Sequence, residues 1–396
     1  WLTNQYPSND KDLFAAFIER ISEVCRPSGS YGIMTSFTWM FISSFEHLRK
    51  SIVNAELIES LIQLHYDAFA DAKAHICTFV NRPIRIKEYI ASFIRLADFP
   101  GVEEQAPRTL EAIKNKNCGW LYEVDQSTFS RIPGSPIAYW LKNTQVFTGA
   151  RVGDSYIAGG RTKTHGNDRY LRYWWEVKAN DERWPPYATS GDFRKYSGNL
   201  LQVVDWSDQA RASYESFGGL YPRDFWGKEG ITWGKITSTR VSFREKPARA
   251  HYDSGAGIIF PPGFGCDRLL LAYLNSPIVD GYLKAMNPTV NTTVNDVFAL
   301  PLPPKLRADT VASNVEQLIS LARTDWDSYE RSPYYQKHPL TSCRDSVRSA
   351  FQRRLNESRN SADRFKALEE ENNAIFIEAM GLGEEFSPTV PDHQIS

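Results

Sequence analysis

The sequence predicts a mixed α/β chain in three parts: an α/β sheet region, an irregular β-rich region and a helical C-terminal segment. Up to about Asn81, apolar runs alternate between helix and strand periodicity. From Gly119 to Pro304, glycine, proline and aromatic residues punctuate short apolar runs, which is typical of small strands joined by turns. Beyond Pro304, long charged segments carry apolar residues at helical spacing.

The first predicted element is an amphipathic helix over Lys11–Cys25, which Pro27 and Gly29 end. Its predicted apolar stripe consists of Leu13, Phe14, Phe17, Ile18, Ile21 and Val24. The run Gly32–Lys50 follows as a buried strand that breaks at an aromatic turn and continues as a helix. Because only one helix precedes this strand, we expect the beginning of the α/β sheet to lie upstream of Trp1.

A helix over 45–54 and two apolar strands over 57–65 and 74–80 come next. The link between the strands, 66–73, is short. A right-handed crossover between parallel strands needs about a dozen residues or more. We therefore expect the strand at 74–80 to run antiparallel to the strand before it.

In the β-rich region, the strand candidates are 120–124, 199–206, 230–236 and 257–260. A helix is predicted over 107–114, and another over 268–286 that Pro277 interrupts. After the prolines at 301–304, helices are predicted over 311–324 and 341–380, the latter ending at Gly381.

Composition narrows the class of protein. A length of 396 residues predicts two or three domains, and the apolar runs are too short and too polar for a membrane span. The N-terminal residues WLTNQYPSND do not resemble a signal peptide. Five scattered cysteines, Cys25, Cys77, Cys118, Cys266 and Cys343, lack metal-ligand spacing and are interpreted as free thiols in a reducing cytoplasm.

Charge is unevenly distributed, although the net charge is only −1. Residues 151–195 hold nine Arg/Lys against six Asp/Glu, and residues 226–251 hold six against two. Both windows are also rich in aromatic residues. A positive, aromatic face for nucleic acid would give this pattern, and so would the solvated surface of a β-rich domain.

Several strings resemble one enzyme family. The order helix, strand, aromatic turn, helix, strand, reversed strand is similar to the second half of the S-adenosylmethionine-dependent methyltransferase fold. DLFAAFIER (12–20), MTSFTWMFISSFEHLR (34–49) and FSRIPGSPIAYWL (129–141) resemble the PglX-type adenine-specific DNA methyltransferases of BREX phage-exclusion systems. The resemblance continues through GNDRYLRYWWEV (166–177), KEGITWGKITS (228–238), residues 270–303, DWDSYERS (325–332) and LEEENNAIFIEAMGL (368–382).

The resemblance implies a fold and a domain order. The first part would be the C-terminal half of a Rossmann-like methyltransferase sheet. The implied domains are 1–100 (end of the methyltransferase domain), 101–304 (β-rich, mixed α+β target-recognition domain) and 305–396 (helical C-terminal segment). Phe37, Trp39 and Phe41 would support the cofactor and base pocket.

The family's chemistry requires S-adenosylmethionine and a loop that reads Asn/Asp-Pro-Pro-Tyr/Phe, and neither that loop nor a convincing cofactor loop is present in the sequence. Residues 184–187 read Trp-Pro-Pro-Tyr, but an indole cannot accept a hydrogen bond from the target amine, so we interpret them as a structural turn. Asn287-Pro288 lacks the second proline, and the glycine pairs at 255–257 and 263–265 are weak cofactor signals. We expect no catalytic residue in this chain.

The resemblance instead assigns DNA reading to the two basic windows. The candidate DNA-binding residues are Arg161, Lys163, His165, Asn167, Arg169, Arg172, Arg194, Lys195, Lys228, Lys235, Arg240 and Arg244. Asn167 and Arg169 are the first candidates for base contacts, because asparagine and arginine suit bidentate bonds to adenine and guanine. Tyr173, Trp174 and Trp175 are interpreted as core residues rather than as rings that stack on bases.

Two hypotheses remain. The chain is the C-terminal part of a site-specific adenine methyltransferase, inactive alone, that selects double-stranded DNA for a missing N-terminal half. Alternatively, it is a non-catalytic DNA-binding or assembly module that contacts other BREX proteins. Both hypotheses place it in the cytoplasm of a bacterium or archaeon, away from any membrane.

Overall fold

A computed structural model describes residues 2–305, 307–342 and 346–395. The chain forms two compact units. The first comprises Trp1–Gly149 together with Lys284–Thr289, and the second comprises Ala150–Leu283 together with Val290–Ser396. The chain therefore passes between the units three times.

The first unit contains a five-stranded sheet in the order β1-β3-β2-β4-β5. Its strands are β1 (Tyr31–Ser36), β2 (Leu57–Gln63), β3 (Ile76–Arg82), β4 (Ile90–Arg95) and β5 (Leu121–Asp125). Strand β3 runs antiparallel to both β1 and β2, whereas β2 and β4 are parallel. The predicted reversal after the short link 66–73 is confirmed, and it inserts β3 between two strands that point the same way.

The helices of this unit are α1 (Leu2–Gln5), α2 (Leu13–Val24), α3 (Glu46–Ala55) and α4 (Val102–Lys114). Helices α2 and α3 match their predictions, and α4 begins earlier than the predicted residue 107. The predicted domain boundary at residue 100 falls inside the unit, because β5 completes the sheet by pairing with β4.

The apolar stripe predicted for α2 is only partly buried. Ile18 is fully buried and the ring of Phe14 packs 4.9 Å from that of Phe45. Leu13, Phe17 and Val24, however, are 60%, 60% and 61% exposed. The predicted stripe is therefore covered only in part, and these three residues form an apolar surface that no described residue covers.

The second unit is β-rich and irregular, as predicted. Its strands are β6 (Leu171–Tyr173), β7 (Pro186–Ala188), β8 (Gln202–Val204), β9 (Gly230–Gly234), β10 (Phe243–Lys246), β11 (His251–Tyr252) and β12 (Ala256–Ile259). They form an antiparallel sheet β10-β9-β12 and a mixed sheet β11-β7-β8-β6. An aromatic core that includes Trp206, Tyr214, Tyr221 and Tyr252 stabilises the unit.

The remaining helices are α5 (Val152–Ser155), α6 (Asn167–Tyr170), α7 (Asp208–Ser216), α8 (Arg268–Leu274), α9 (Pro277–Met286), α10 (Val294–Phe298), α11 (Ala308–Trp326) and α12 (Val347–Ala379). Pro277 separates α8 from α9, as predicted. Helix α12 matches most of the predicted 341–380 helix, although positions 343–345, including Cys343, lie outside the described residues.

Helices α11 and α12 pack against α8 within the second unit. A buried ion pair joins α12 to the β-rich part of this unit. The ammonium of Lys195, whose side chain is 1% exposed, contacts the Glu369 carboxylate, which also accepts a 3.0 Å hydrogen bond from the Tyr196 hydroxyl. The C-terminal helices and the β-rich region therefore share one core.

Candidate nucleic-acid interface

The segment with the most candidate residues is the loop 159–166 of the second unit. Its backbone is held from both sides: the Thr162 amide donates to the Tyr252 carbonyl (3.1 Å), and the Lys163 amide donates to the Gly219 carbonyl (2.7 Å). At these anchors, the side chains of Arg161 and Lys163 are exposed. Neither side chain forms an ion pair with any described residue. The loop thus presents cations from a fixed backbone.

Lys235, from the second basic window, lies beside this loop. The Lys235 amide donates to the Gly255 carbonyl (2.9 Å), and Thr162 forms a β-bridge with Asp253, so both segments border the turn 253–255. Partial burial, and next the charge of Arg161, lower the pKa of Lys235. The fold therefore brings together cations that lie far apart in the sequence.

The acidic group of the turn 253–255 is already engaged. The Asp253 carboxylate accepts hydrogen bonds from the Gly255 amide (2.7 Å) and the Ala256 amide (3.0 Å). Burial raises the pKa of this carboxyl group against the opposing effect of those bonds and of Lys235. The Lys235 ammonium itself donates to the Ser254 carbonyl (3.0 Å). This corner is consequently suited to an anion such as a phosphate oxygen.

The first-choice base readers lie on α6, directly after the loop. Asn167 is exposed, and its side-chain oxygen accepts a 2.5 Å hydrogen bond from the Thr164 hydroxyl. Arg169 is also exposed, with its guanidinium 5.0 Å from the Tyr170 ring. His165 is exposed and its ring lies 5.4 Å from that of Phe217. All three side chains are accessible to a ligand.

Arg172 is half-buried beside the same helix. Its guanidinium donates to the carbonyls of Asp168 (2.9 Å) and Leu171 (2.6 Å) and lies 5.8 Å from the Trp184 ring. Trp184 precedes strand β7, in which Tyr187 is buried. The Trp-Pro-Pro-Tyr string is thus part of a turn and a strand, in agreement with its structural interpretation.

The remaining candidates are more deeply engaged. Arg194 pairs with Asp325 (3.0 Å) and lies 4.7 Å from the Trp326 ring. Arg240 donates to the Asn275 carbonyl and, at 2.6 Å, to the Gln394 side chain. Lys228 is half-buried, with its ammonium 4.9 Å from the Phe264 ring. Each of these cations has a structural partner within its own unit.

Lys195 and Arg244 are buried. Burial lowers the pKa of Lys195, a shift that Glu369 opposes, and burial lowers the pKa of Arg244 to about 10. Arg244 donates to the Thr189 carbonyl (3.3 Å). DNA cannot reach these two groups without unfolding their surroundings, which contradicts their prediction as DNA contacts.

The aromatic run after α6 departs from its prediction. Tyr173 and Trp175 are 44% and 51% exposed, so their interpretation as core residues is wrong. Their rings stack 4.6 Å apart at an interplanar angle of 3°. Trp174 is half-buried and donates its indole N–H to the Arg331 carbonyl (3.0 Å).

In the first unit, the three predicted pocket-supporting aromatics lie in the turn after β1. Trp39 and Phe41 are buried, and Phe37 is half-buried with its ring 4.8 Å from His75. The turn is held by Arg49, whose buried guanidinium donates to the carbonyls of Trp39 (2.9 Å), Ile42 (2.6 Å) and Gly134 (3.0 Å).

Arg49 is a residue that sequence reasoning missed. Burial lowers its pKa to about 10. Nothing in its sequence context, a helix after an aromatic turn, distinguishes it from a solvated surface arginine. Only its position relative to the 132–135 loop, far along the chain, reveals its role.

The structure also tests the weaker cofactor and metal signals. Gly257 lies in strand β12, where a Cβ atom would come 2.1 Å from the Trp233 ring, so this glycine serves close packing. Among the described residues, no group of His, Cys, Asp and Glu side chains could hold a metal ion. Cys77 is buried, and Cys25, Cys118 and Cys266 are half-buried free thiols. No described helix is long and apolar enough to cross a bilayer.

Comparison with known proteins gives concordant similarities. The family model of the Eco57I restriction-modification methylases matches residues 1–69. The chain is 30% identical to "Adenine-specific methyltransferase PglX" of Lacticaseibacillus casei (strain Zhang), over 99% of this chain and 35% of that protein. It is 25% identical to "Adenine-specific methyltransferase BrxX" of Escherichia coli O9:H4 (strain HS), over 96% of this chain and 32% of that protein.

Among solved structures, the fold resembles the type IIL restriction-modification enzyme MmeI in complex with DNA. The TM-score is 0.55 at 8% identity, and the similarity covers 96% of this chain and 51% of MmeI. The chain spans about a third of the length of the PglX and BrxX proteins that it matches.

Proposed function

We propose that this chain, which is similar over nearly its whole length to a PglX-type adenine-specific methyltransferase, is the C-terminal part of such an enzyme. In this proposal it selects the double-stranded DNA target of a BREX phage-defence methyltransferase. The observation that carries the proposal is the similarity to PglX across 99% of a chain that spans 35% of its relative.

The chemistry of the complete enzyme would be methyl transfer from S-adenosylmethionine to the exocyclic amine of adenine. The sequence lacks the loop that would bind the target amine, and Gly257, a glycine of one weak cofactor signal, packs against Trp233 in strand β12. We therefore assign cofactor binding and catalysis to another part of the enzyme. Phe37, Trp39 and Phe41 would then support the pocket from this side.

Two features of the first unit support the presence of such a part. Among the described residues, β1 pairs only with β3, which leaves the other edge of β1 without a partner strand. Leu13, Phe17 and Val24 form an exposed apolar stripe on α2. An open sheet edge and an apolar helix face are both costly in water, and a further sheet segment would cover them.

Target selection would fall to the second unit, on the loop 159–166 and helix α6. Arg161, Lys163 and Lys235 would bind phosphate oxygens and fix the register of the DNA, as cations outside any ion pair can. Asn167 and Arg169 would read base edges. His165, Arg172, Arg194, Lys228 and Arg240 remain candidates for further DNA contacts, each through a side chain that also has a structural role.

Duplex binding as a function of salt concentration tests this proposal. We expect the affinity of the full chain for a short random-sequence duplex to fall steeply between about 50 and 200 mM salt, because phosphate contacts release counterions. Arg161→Ala and Lys235→Ala should each lower the steepness of the plot of log K against log salt by about 1.

Lys366→Ala provides the matched control, because Lys366 lies in the same unit but is paired with Asp392 at 2.7 Å. It should leave the salt dependence unchanged. An affinity that stays flat with salt would overturn the proposal. It would then favour the second hypothesis in its assembly form, a module that contacts other proteins of the defence system.

A cytoplasmic location in a bacterium or archaeon belongs to the same proposal, since the DNA substrate is found there. If the assembly hypothesis is correct instead, the partners would be other BREX proteins.

A further inference from the structure

Tyr173 and Trp175 form an exposed pair of stacked rings in the second unit, which we call the aromatic platform. The DNA contacts proposed above do not involve it. Both side chains are about half exposed, and their rings are almost parallel at 4.6 Å. Tyr173 is the last residue of strand β6 and Trp175 lies just beyond it; this strand forms an edge of its sheet and pairs only with β8 among the described strands. The platform therefore lies at an open border of the unit.

The backbone of the platform is fixed at Tyr173 and Trp174. The Tyr173 amide donates to the Glu176 carboxylate (2.7 Å), and the Trp174 amide donates to the Leu201 carbonyl (3.1 Å). Trp174 itself binds the Arg331 carbonyl through its indole and packs edge-on against Trp175 with ring centroids 5.6 Å apart. The two exposed rings are thus held in place before any ligand binds, which lowers the entropy cost of binding.

Holding two large rings half in water requires an explanation. Each ring loses part of the free energy that burial would provide, and exposed apolar groups that are rigidly presented commonly mark binding sites. A second protein is one candidate occupant. However, Arg172, Glu176 and Lys178 lie within three residues of the rings, whereas the cores of protein interfaces are depleted of charged residues.

We propose that the aromatic platform stacks on an unstacked base of the bound DNA. This inference rests on the proposed DNA-binding function, because the platform follows directly on α6, which carries Asn167 and Arg169. A base offers a flat π surface flanked by phosphates, so it suits an aromatic ring beside cationic side chains. A base becomes available for this contact wherever the duplex is opened to expose the target nucleotide.

The test uses the full chain and two duplexes that share one sequence, except that one of them carries an additional, unpaired 2-aminopurine. The other duplex is fully paired. Stacking on an aromatic ring strengthens binding by about 5- to 100-fold for one base. We expect the wild-type chain to prefer the bulged duplex by a factor in that range and to quench the 2-aminopurine fluorescence. Trp175→Ala and Tyr173→Ala should remove most of the preference, and Trp175→Phe should retain it.

Phe351→Ala, at another exposed aromatic residue of the same unit, should change neither quantity. The salt dependence should stay at the wild-type value in the platform variants, because no phosphate contact is lost. An unaltered preference in the platform variants, or no preference in the wild type, would overturn the inference while salt-dependent duplex binding left the proposed function intact. Absence of salt-dependent binding in the wild type would instead reject the proposed function.

Discussion

At the scale of single residues, the buried pair of Lys195 and Glu369 shows how a cation that looks like a DNA contact can be structural. Lys195 was predicted to bind DNA from its place in a basic window, but its partner lies far along the chain on α12. Sequence patterns report local charge and not the distant side chain that neutralises it. The same limit applies to Arg244 and to Arg49, whose partners are backbone carbonyls.

We predict that Glu369→Ala lowers the free energy of unfolding by about 3–5 kcal/mol, because it leaves the Lys195 ammonium buried without its counterion. Urea denaturation measures the change. The double variant Lys195→Met with Glu369→Leu should be more stable than Glu369→Ala, since no charge remains buried. Equal destabilisation in the two variants would contradict an electrostatic cause.

Lys246 provides a prediction about pH. Burial lowers its pKa to about 7, and its ammonium donates to the carbonyls of Lys228 and Ala248. An unfolded lysine titrates near 10.4. Between these values the unfolded chain binds more protons than the folded chain, so the free energy of unfolding should rise with pH, by up to about 1.4 kcal/mol per unit.

The measurement is urea denaturation from about pH 7 to pH 9, a range between these two lysine pKa values. Lys246→Met removes the titrating group and should flatten the pH dependence relative to the wild type. Lys366→Met, at a lysine paired with Asp392, should keep the wild-type slope. A parallel response of wild type and Lys246→Met would contradict the assignment.

At the scale of elements, the sequence predicts which helices and strands form, and in what order, better than it predicts which of their side chains are buried. The strand, aromatic turn and helix of 32–50 are confirmed, as are the reversal of β3 and the break at Pro277. Period and turn residues are local properties, so the sequence contains them. Which face of α2 is covered depends on the neighbouring elements, and Leu13, Phe17 and Val24 are exposed although they share the helical pattern of buried residues.

Substitutions at Phe17 and Phe14 of α2 compare an exposed and a packed residue of the same apolar stripe. We expect Phe17→Ser to change the free energy of unfolding by less than about 0.5 kcal/mol, because the side chain is already in water. It should also reduce self-association and hydrophobic-dye binding of the isolated chain. Phe14→Ser should lower the free energy of unfolding by about 1–2 kcal/mol, since Phe14 packs against Phe45. The reverse ranking would show that the exposed face is wrongly assigned.

At the scale of the whole molecule, the mixed α/β class and the similarity to PglX-type methyltransferases are confirmed. The motif strings carried that prediction, because they are spread along most of the chain. The geometry of the candidate site could not be predicted from the sequence. Arg161 and Lys235 are close because two segments of the β-rich unit meet at the turn 253–255. No local sequence pattern indicates that these two segments are neighbours. The assignment of DNA contacts stays a prediction.

Because the proposal assigns catalysis to another part of the enzyme, we expect the chain alone to transfer no detectable methyl group to DNA. The physical reason is the lack of an amine-binding Asn-Pro-Pro-Tyr loop in the sequence. Incorporation of label from radioactive S-adenosylmethionine into duplex DNA measures the activity, with an intact adenine methyltransferase as the positive control. Incorporation by this chain at a rate above background would contradict the proposal.

If the second unit selects the DNA as proposed, the path of the chain between the two units determines how that unit can be moved into a related enzyme. Residues 284–289 cluster with the first unit although the sequence on both sides belongs to the second. A graft that moves the second unit into a related enzyme therefore needs junctions near 149, 283 and 290, rather than one cut near the middle. A chimaera with a single crossover would combine residues 284–289 of one parent with the first unit of another, and its success would depend on how well those six residues match their new host.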